Sequence, residues 1–110
     1  MNSFGKEKRL LKKSDYNFVF AHAKKLVTPE FIILYSFNKQ EFARLGLALS
    51  KKMIAKANDR NRLKRLIREA FRTSKLPAID LIFLARAGVA KVDNKTITAR
   101  LGQTWEKLNT

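Results

Sequence analysis

The sequence predicts an α/β (α+β) fold in which a small mixed sheet of at least three strands packs against helices. Three observations carry this. Residues 58–75 and 92–108 repeat apolar side chains at helical spacing. Residues 31–37, 42–50 and 79–85 have the alternation or the apolar, β-branched composition of strands. Their order is strand, strand, helix, strand, helix, with a short helix in front. At 110 residues the chain has room for one core, so it reads as a single domain over 1–110.

Residues 1–13, with Gly5 and five basic side chains, read as an extended basic arm. Ser14 or Asp15 caps a first helix to about Lys24, on which Tyr16, Val19, Phe20 and Ala23 share one face. Thr28-Pro29 breaks the chain. The runs Phe31–Phe37 and Phe42–Ser50, joined by a polar turn, suggest an antiparallel pair. Asn58 is placed to cap a long helix reaching Lys75, with Leu63, Leu66, Ile67, Ala70 and Phe71 as its apolar stripe and Pro77 as its stop. Ile79–Ala85 is apolar enough for a strand covered on both faces. A closing helix presents Ile97, Leu101, Trp105 and Leu108, and Trp105 and Phe83 read as core.

The chain carries 24 Lys+Arg against 9 Asp+Glu, a formal charge of +15, which makes a polyanion the expected partner. Ten basic and two acidic residues fall within 51–75. With no Cys and one His, disulfides, thiolate metal sites and histidine-pair catalysis are excluded. No apolar stretch approaches the roughly 18 residues needed to cross a bilayer, so no membrane association is expected. His22 reads as a surface residue rather than a ligand, and the scattered acids suggest no two-metal nuclease centre.

The most informative segment is Arg60-Asn61-Arg62-Leu63-Lys64-Arg65-Leu66-Ile67-Arg68. Arg60, Lys64 and Arg68 line one side of the helix with Asn61, Arg65 and Arg72 beside them, while the apolar stripe lies elsewhere on the cylinder. A purely structural surface would mix signs, yet only Arg65–Glu69 offers an obvious i,i+4 pair. Arg60 and Arg62 also occupy the first turn, where the helix dipole disfavours cations and a bound anion would relieve the repulsion. Arginine forks grip phosphate bidentately and Lys64 would act as a point charge, while Lys51, Lys52 and Lys56 admit two readings, an extension of the patch or solubilising lysines of the loop. A major-groove DNA reader would need a helix immediately upstream, where this chain reads as strand and loop, so DNA is not the expected partner. Tyr16 and Phe20 admit two readings, core packing or a flat surface for unpaired bases, and Phe18 reads as core or a second contact.

In order and spacing, Arg44-Leu45-Gly46-Leu47, Ser50-Lys51-Lys52, Arg60-Asn61-Arg62-Leu63-Lys64-Arg65, Arg68-Glu69 and Phe71-Arg72 resemble the protein subunit of bacterial ribonuclease P. Arg9-Leu10, Asp15-Tyr16, Val19-Phe20 and Asp80 match as well, so the resemblance spans essentially the whole chain. It implies a two-layer α/β sandwich with a left-handed strand–helix–strand crossover. It also implies a non-catalytic subunit of a cytoplasmic endoribonuclease that removes the 5′ leader of precursor tRNA. Arg60, Asn61, Arg62, Lys64, Arg65 and Arg68 would contact the catalytic RNA, with Lys51 and Lys52 beside them. Tyr16 and Phe20 would line a cleft for the leader, together with some of Phe31, Ile33 and Tyr35. No cofactor is expected on the protein, and Mg²⁺ would sit at the RNA active site.

Overall fold

The computed structural model describes residues 13–38 and 42–109. The basic arm expected over 1–13 lies, except for Lys13, outside the described residues. Helix α1 (Lys13–His22) is followed by strands β1 (Lys24–Val27), β2 (Phe31–Phe37) and β3 (Arg44–Ala48). Helix α2 (Ala57–Arg72), strand β4 (Ile79–Ala85), a 3-10 turn at Val89–Lys91 and helix α3 (Asn94–Leu108) complete the chain. The strand order is β1-β2-β4-β3, with β3 parallel to β4 and the other two pairings antiparallel.

Strand β1 is absent from the sequence reading. Lys24-Lys25-Leu26-Val27 carries one half-buried apolar residue and reads by pattern as a helix end. The Thr28-Pro29 break is instead the corner of a β1–β2 hairpin. The Thr28 N–H donates to Phe31 O at 2.8 Å, and the Phe31 N–H donates to the Thr28 hydroxyl oxygen at 3.0 Å. Proline suits the first position of such a corner because its ring presets φ. Two exposed lysines on β1 also suit an edge strand, where charge discourages further pairing.

The expected antiparallel pair between β2 and β3 does not form, because β4 lies between them. Six of the seven β4 residues are buried, and the central place in the sheet is where a strand apolar on both faces loses most water. One face of the sheet carries Phe31, Ile33, Leu45, Leu81 and Phe83 and packs against α2 and α3 through Leu63, Ile67, Phe71, Ile97, Leu101 and Trp105. Trp105 meets Phe83 and Phe71 edge-on at ring-centroid distances of 5.8 and 6.3 Å. The other face is covered only in part, by α1, whose Val19 is fully buried on Ile82.

Helix ends differ from the sequence reading for local reasons. α2 begins one residue before Asn58, with Lys56 in extended backbone at its N-cap and no side-chain cap. It stops at Arg72 because hydroxyls capture the last carbonyls: Thr73 Oγ1 donates to Ala70 O and Ser74 Oγ to Phe71 O. α3 starts at Asn94, where Asp93 Oδ1 accepts from the Thr96 N–H at 2.8 Å.

Candidate nucleic-acid interface

With Leu63, Ile67 and Phe71 sunk in the core, the opposite side of α2 presents Asn61, Arg65, Arg68 and Arg72, all exposed. Lys64 flanks this side, half-buried, while Arg60, also half-buried, starts the helix on the side of the core residues. The sixteen residues of α2 extend for about 24 Å, long enough to track several phosphates. Glu69 pairs with Arg72 at 2.6 Å rather than with Arg65. Among the described residues, no ion pair holds Lys64, Arg65 or Arg68.

Two of the arginines face inward to the protein's own loops. Arg60 Nη1 donates to Ile54 O (2.8 Å) and Ala55 O (3.1 Å), fastening the loop that leads into α2. Arg62 donates through Nη1 to Val92 O (3.2 Å) and Asn94 Oδ1 (2.6 Å), and through Nη2 to Ala90 O (3.0 Å). It therefore ties α2 to the segment entering α3. Lys51 and Lys52 are exposed in the turn that follows β3, closed by Ile54 N–H to Ser50 O at 2.9 Å.

The partly covered face of the sheet is organised in rows by the strand register. One row is Lys25, Leu34, Ile82 and Gly46; the next is Val27, Ile32, Leu84 and Ala48. Helix α1 lies along the first row, with Tyr16 against Gly46 and Val19 against Ile82. The second row stays open beside it: Val27 is exposed and Ile32, Leu84 and Ala48 are only half-buried. Asp15 approaches Arg44 at 3.7 Å on one flank of α1. Phe20, roughly 140° further round the helix, faces the other flank, over the open row, and is 51% exposed. The result is a groove with an apolar floor, an aromatic wall of Tyr16 and Phe20, and Lys51 and Lys52 just past the end of β3.

Phe31, Ile33 and Tyr35, the first-strand candidates for this cleft, point to the opposite face and pack with α2 and α3. Side-chain alternation gives the groove Ile32 and Leu34 instead. Phe18 is not core. It is 54% exposed on the outer side of α1, stacked on His22 at 4.2 Å, and His22 Nδ1 lies 2.9 Å from Phe18 O.

On the same face of the sheet, across α1 from the groove, Asp80, 4% exposed, holds the frame together. It takes Arg44 in a two-pronged contact, Nε to Oδ1 at 2.9 Å and Nη2 to Oδ2 at 2.7 Å, and accepts from Asn38 Nδ2 at 2.7 Å. These bonds push the Arg44 pKa further up, so its charge is fixed at any working pH. No group of three or more metal-ligating side chains occurs among the described residues.

The family model described as Ribonuclease P matches residues 4–109. The chain belongs to the ribonuclease P protein family. A ribonuclease P protein component from Legionella pneumophila is 61% identical over 108 residues, covering 98% of this chain and 95% of the relative. The corresponding protein of Pasteurella multocida is 42% identical over 107 residues, covering 96% and 90%. Among solved structures, the RNase P protein of Staphylococcus aureus superposes with a TM-score of 0.84 at 28% identity, covering 94% of this chain and 98% of that one. That of Thermotoga maritima gives 0.81 at 29% identity, covering 93% and 98%. The four-stranded mixed sheet with three helices is thus the ribonuclease P protein fold. Membership makes the chain the protein component of a ribonucleoprotein endoribonuclease that assists removal of the tRNA 5′ leader, with the ribonuclease P RNA as its partner.

Within that family frame, sequence reasoning missed Ile32, Leu34, Leu84 and Ala48 as groove residues. Their signal was present in the period-two alternation, but assigning it to a face required knowing that β4 lies beside β2. The inward turn of Arg60 and Arg62 had no sequence signal at all.

Proposed function

We propose that the chain grips the ribonuclease P RNA through the outer side of α2 and holds the single-stranded 5′ leader of precursor tRNA in the groove beside α1. Asn61, Lys64, Arg65 and Arg68 are the phosphate-facing residues, with Lys51 and Lys52 supporting them. Arg60 and Arg62 act from behind by fixing the loops on either side of α2. Tyr16 and Phe20 offer flat surfaces on which unpaired bases stack with little regard to sequence, which suits leaders that differ from one tRNA to the next.

The observation that carries this reading is the open apolar row Val27–Ile32–Leu84–Ala48 alongside the aromatic wall, on the face of the sheet away from α2. Two separate surfaces let one small protein hold the catalytic RNA and the substrate at once. The chemistry then belongs to the RNA, whose phosphates hold Mg²⁺. Among the described residues the buried carboxylates are committed to arginines, Asp80 to Arg44 and Glu30 to Arg100. The whole chain works as one RNA-binding unit in the cytoplasm, and duplex DNA is not a ligand.

The test is a pair of titrations on reconstituted holoenzyme, with leader-bearing and leaderless tRNA. Stacking is worth roughly 1–3 kcal/mol per base. Tyr16→Leu with Phe20→Leu should therefore weaken leader-bearing precursor tenfold or more while leaving mature tRNA nearly unchanged. Equal losses for both RNAs would remove the leader assignment.

A further inference from the structure

Gly46 sits in the middle of β3, where glycine ordinarily weakens a strand and offers nothing to pack. Its backbone does not need glycine, since among the described residues Gly88 alone has positive φ. Space is the reason it is there. A Cβ at this position would lie 2.8 Å from Tyr16 Oη, 2.9 Å from Cζ and 3.0 Å from Cε1. Carbon atoms in contact prefer about 3.5–4.0 Å, so the ring rests on bare strand backbone, closer than any side chain permits.

Neither support of the ring can give way easily. β3 is held to β4 by the parallel register Gly46↔Ile82, and Arg44, two residues earlier, is gripped by Asp80. α1 is held by Val19, fully buried on Ile82, and by Asp15 near Arg44. What yields to an added methyl is the tip of the Tyr16 ring, which must rise toward the groove.

We infer that Gly46 is a positioning residue: by letting the end of the Tyr16 ring rest directly on β3 it sets the width of the groove, and so the preference for substrates that carry a leader. This rests on the leader-groove reading above. Gly46 touches no RNA and acts only through Tyr16.

The test uses wild type, Gly46→Ala, Tyr16→Leu and the double variant. Because the clash is with the far end of a side chain, Gly46→Ala should fold. In holoenzyme it should reduce the preference for leader-bearing over leaderless tRNA about fivefold, part of what full loss of a stacked base costs. In the Tyr16→Leu background the same change should cost less than about twofold, because sites coupled through one contact are not additive. Equal losses in both backgrounds, or none with Tyr16 present, would overturn the inference.

A second readout needs no RNA. With 3-fluorotyrosine at the two tyrosines, Gly46→Ala should move the ¹⁹F line of Tyr16 and leave that of Tyr35, on the opposite face, in place. An unmoved Tyr16 line would overturn the positioning role directly. If the line moves but Tyr16→Leu alone leaves leader preference unchanged, the groove reading is what fails, and with it the link from Gly46 to leader preference.

Discussion

Arg60, Arg62, Arg65 and Arg68 are one residue type on one helix, yet their positions around the axis divide them. Arg62 ends in three acceptors of the segment leading into α3, while Arg65 and Arg68 stand in solvent. Removing Arg62 leaves two loop carbonyls and an amide oxygen without their charged donor. Hydrogen bonds from charged groups are worth about 1.5–3 kcal/mol, and partial exposure places Arg62→Ala toward the lower end of that loss, measurable by urea unfolding. Arg65→Ala or Arg68→Ala should change stability by less than about 0.5 kcal/mol, as exposed substitutions do. Either should instead weaken RNA binding and lower the salt-dependence slope by about one unit. A stability loss at Arg65 matching that at Arg62 would contradict this division. The sequence shows the arginines and their angular spacing, but the acceptors of Arg62 lie 28 to 32 residues away, beyond any local pattern.

At the scale of elements, legibility follows the number of buried apolar residues an element contributes. α2, α3 and β4 each bury three or more and β2 buries two, and all four are visible as periodicity or apolar runs. β1 buries none fully and is held by pairing to β2, so its evidence is in another strand. The sheet order was hidden for the same reason, since β4 joins the sheet from more than thirty residues along the chain. The caps make a pH prediction. The hydrogen bonds of Thr96 to Asp93, its hydroxyl first and its N–H second, hold the Asp93 carboxyl below the usual range, with the charge of Arg62 adding to the effect. A lowered folded pKa gives stability that is fully present above the unfolded value of about 3.9 and lost as pH falls through the folded value. Carboxyl NMR should place the Asp93 midpoint below that of a free aspartate, and Asp93→Asn should remove its part of the acid sensitivity of α3. A midpoint at the free value would mean the cap is not formed. At the other end of the sheet, Asp80→Asn keeps the shape but loses the anion facing Arg44. It should cost roughly 1.5–3 kcal/mol, the worth of hydrogen bonds to a charged group.

Over the whole molecule, charge opposes what the apolar core achieves. Fifteen net positive charges on a 12.7 kDa chain repel one another in the compact state, most strongly where ten basic residues gather in 51–75. Folding buries the apolar side of α2 but brings Arg65, Arg68 and their neighbours into register without the counter-charge that a bound RNA would supply. Small polyvalent anions that bind this surface only when α2 is formed should therefore stabilise the free protein by mass action. A site of about 1 mM affinity in 100 mM sulfate would contribute roughly 2.7 kcal/mol. For a chain of this size that corresponds to a rise in Tm on the order of ten degrees. General screening would also help, and it must be separated from site binding. Sodium chloride matched in ionic strength supplies the screening alone, so the excess in sulfate measures the site. Arg65→Ala with Arg68→Ala should remove most of that excess while leaving the chloride effect largely in place. If the two salts raise Tm equally in the wild type, the field is merely screened and α2 carries no discrete anion site. If the sulfate excess survives the double substitution, the anions are held elsewhere, and the phosphate-facing side of α2 is wrongly drawn.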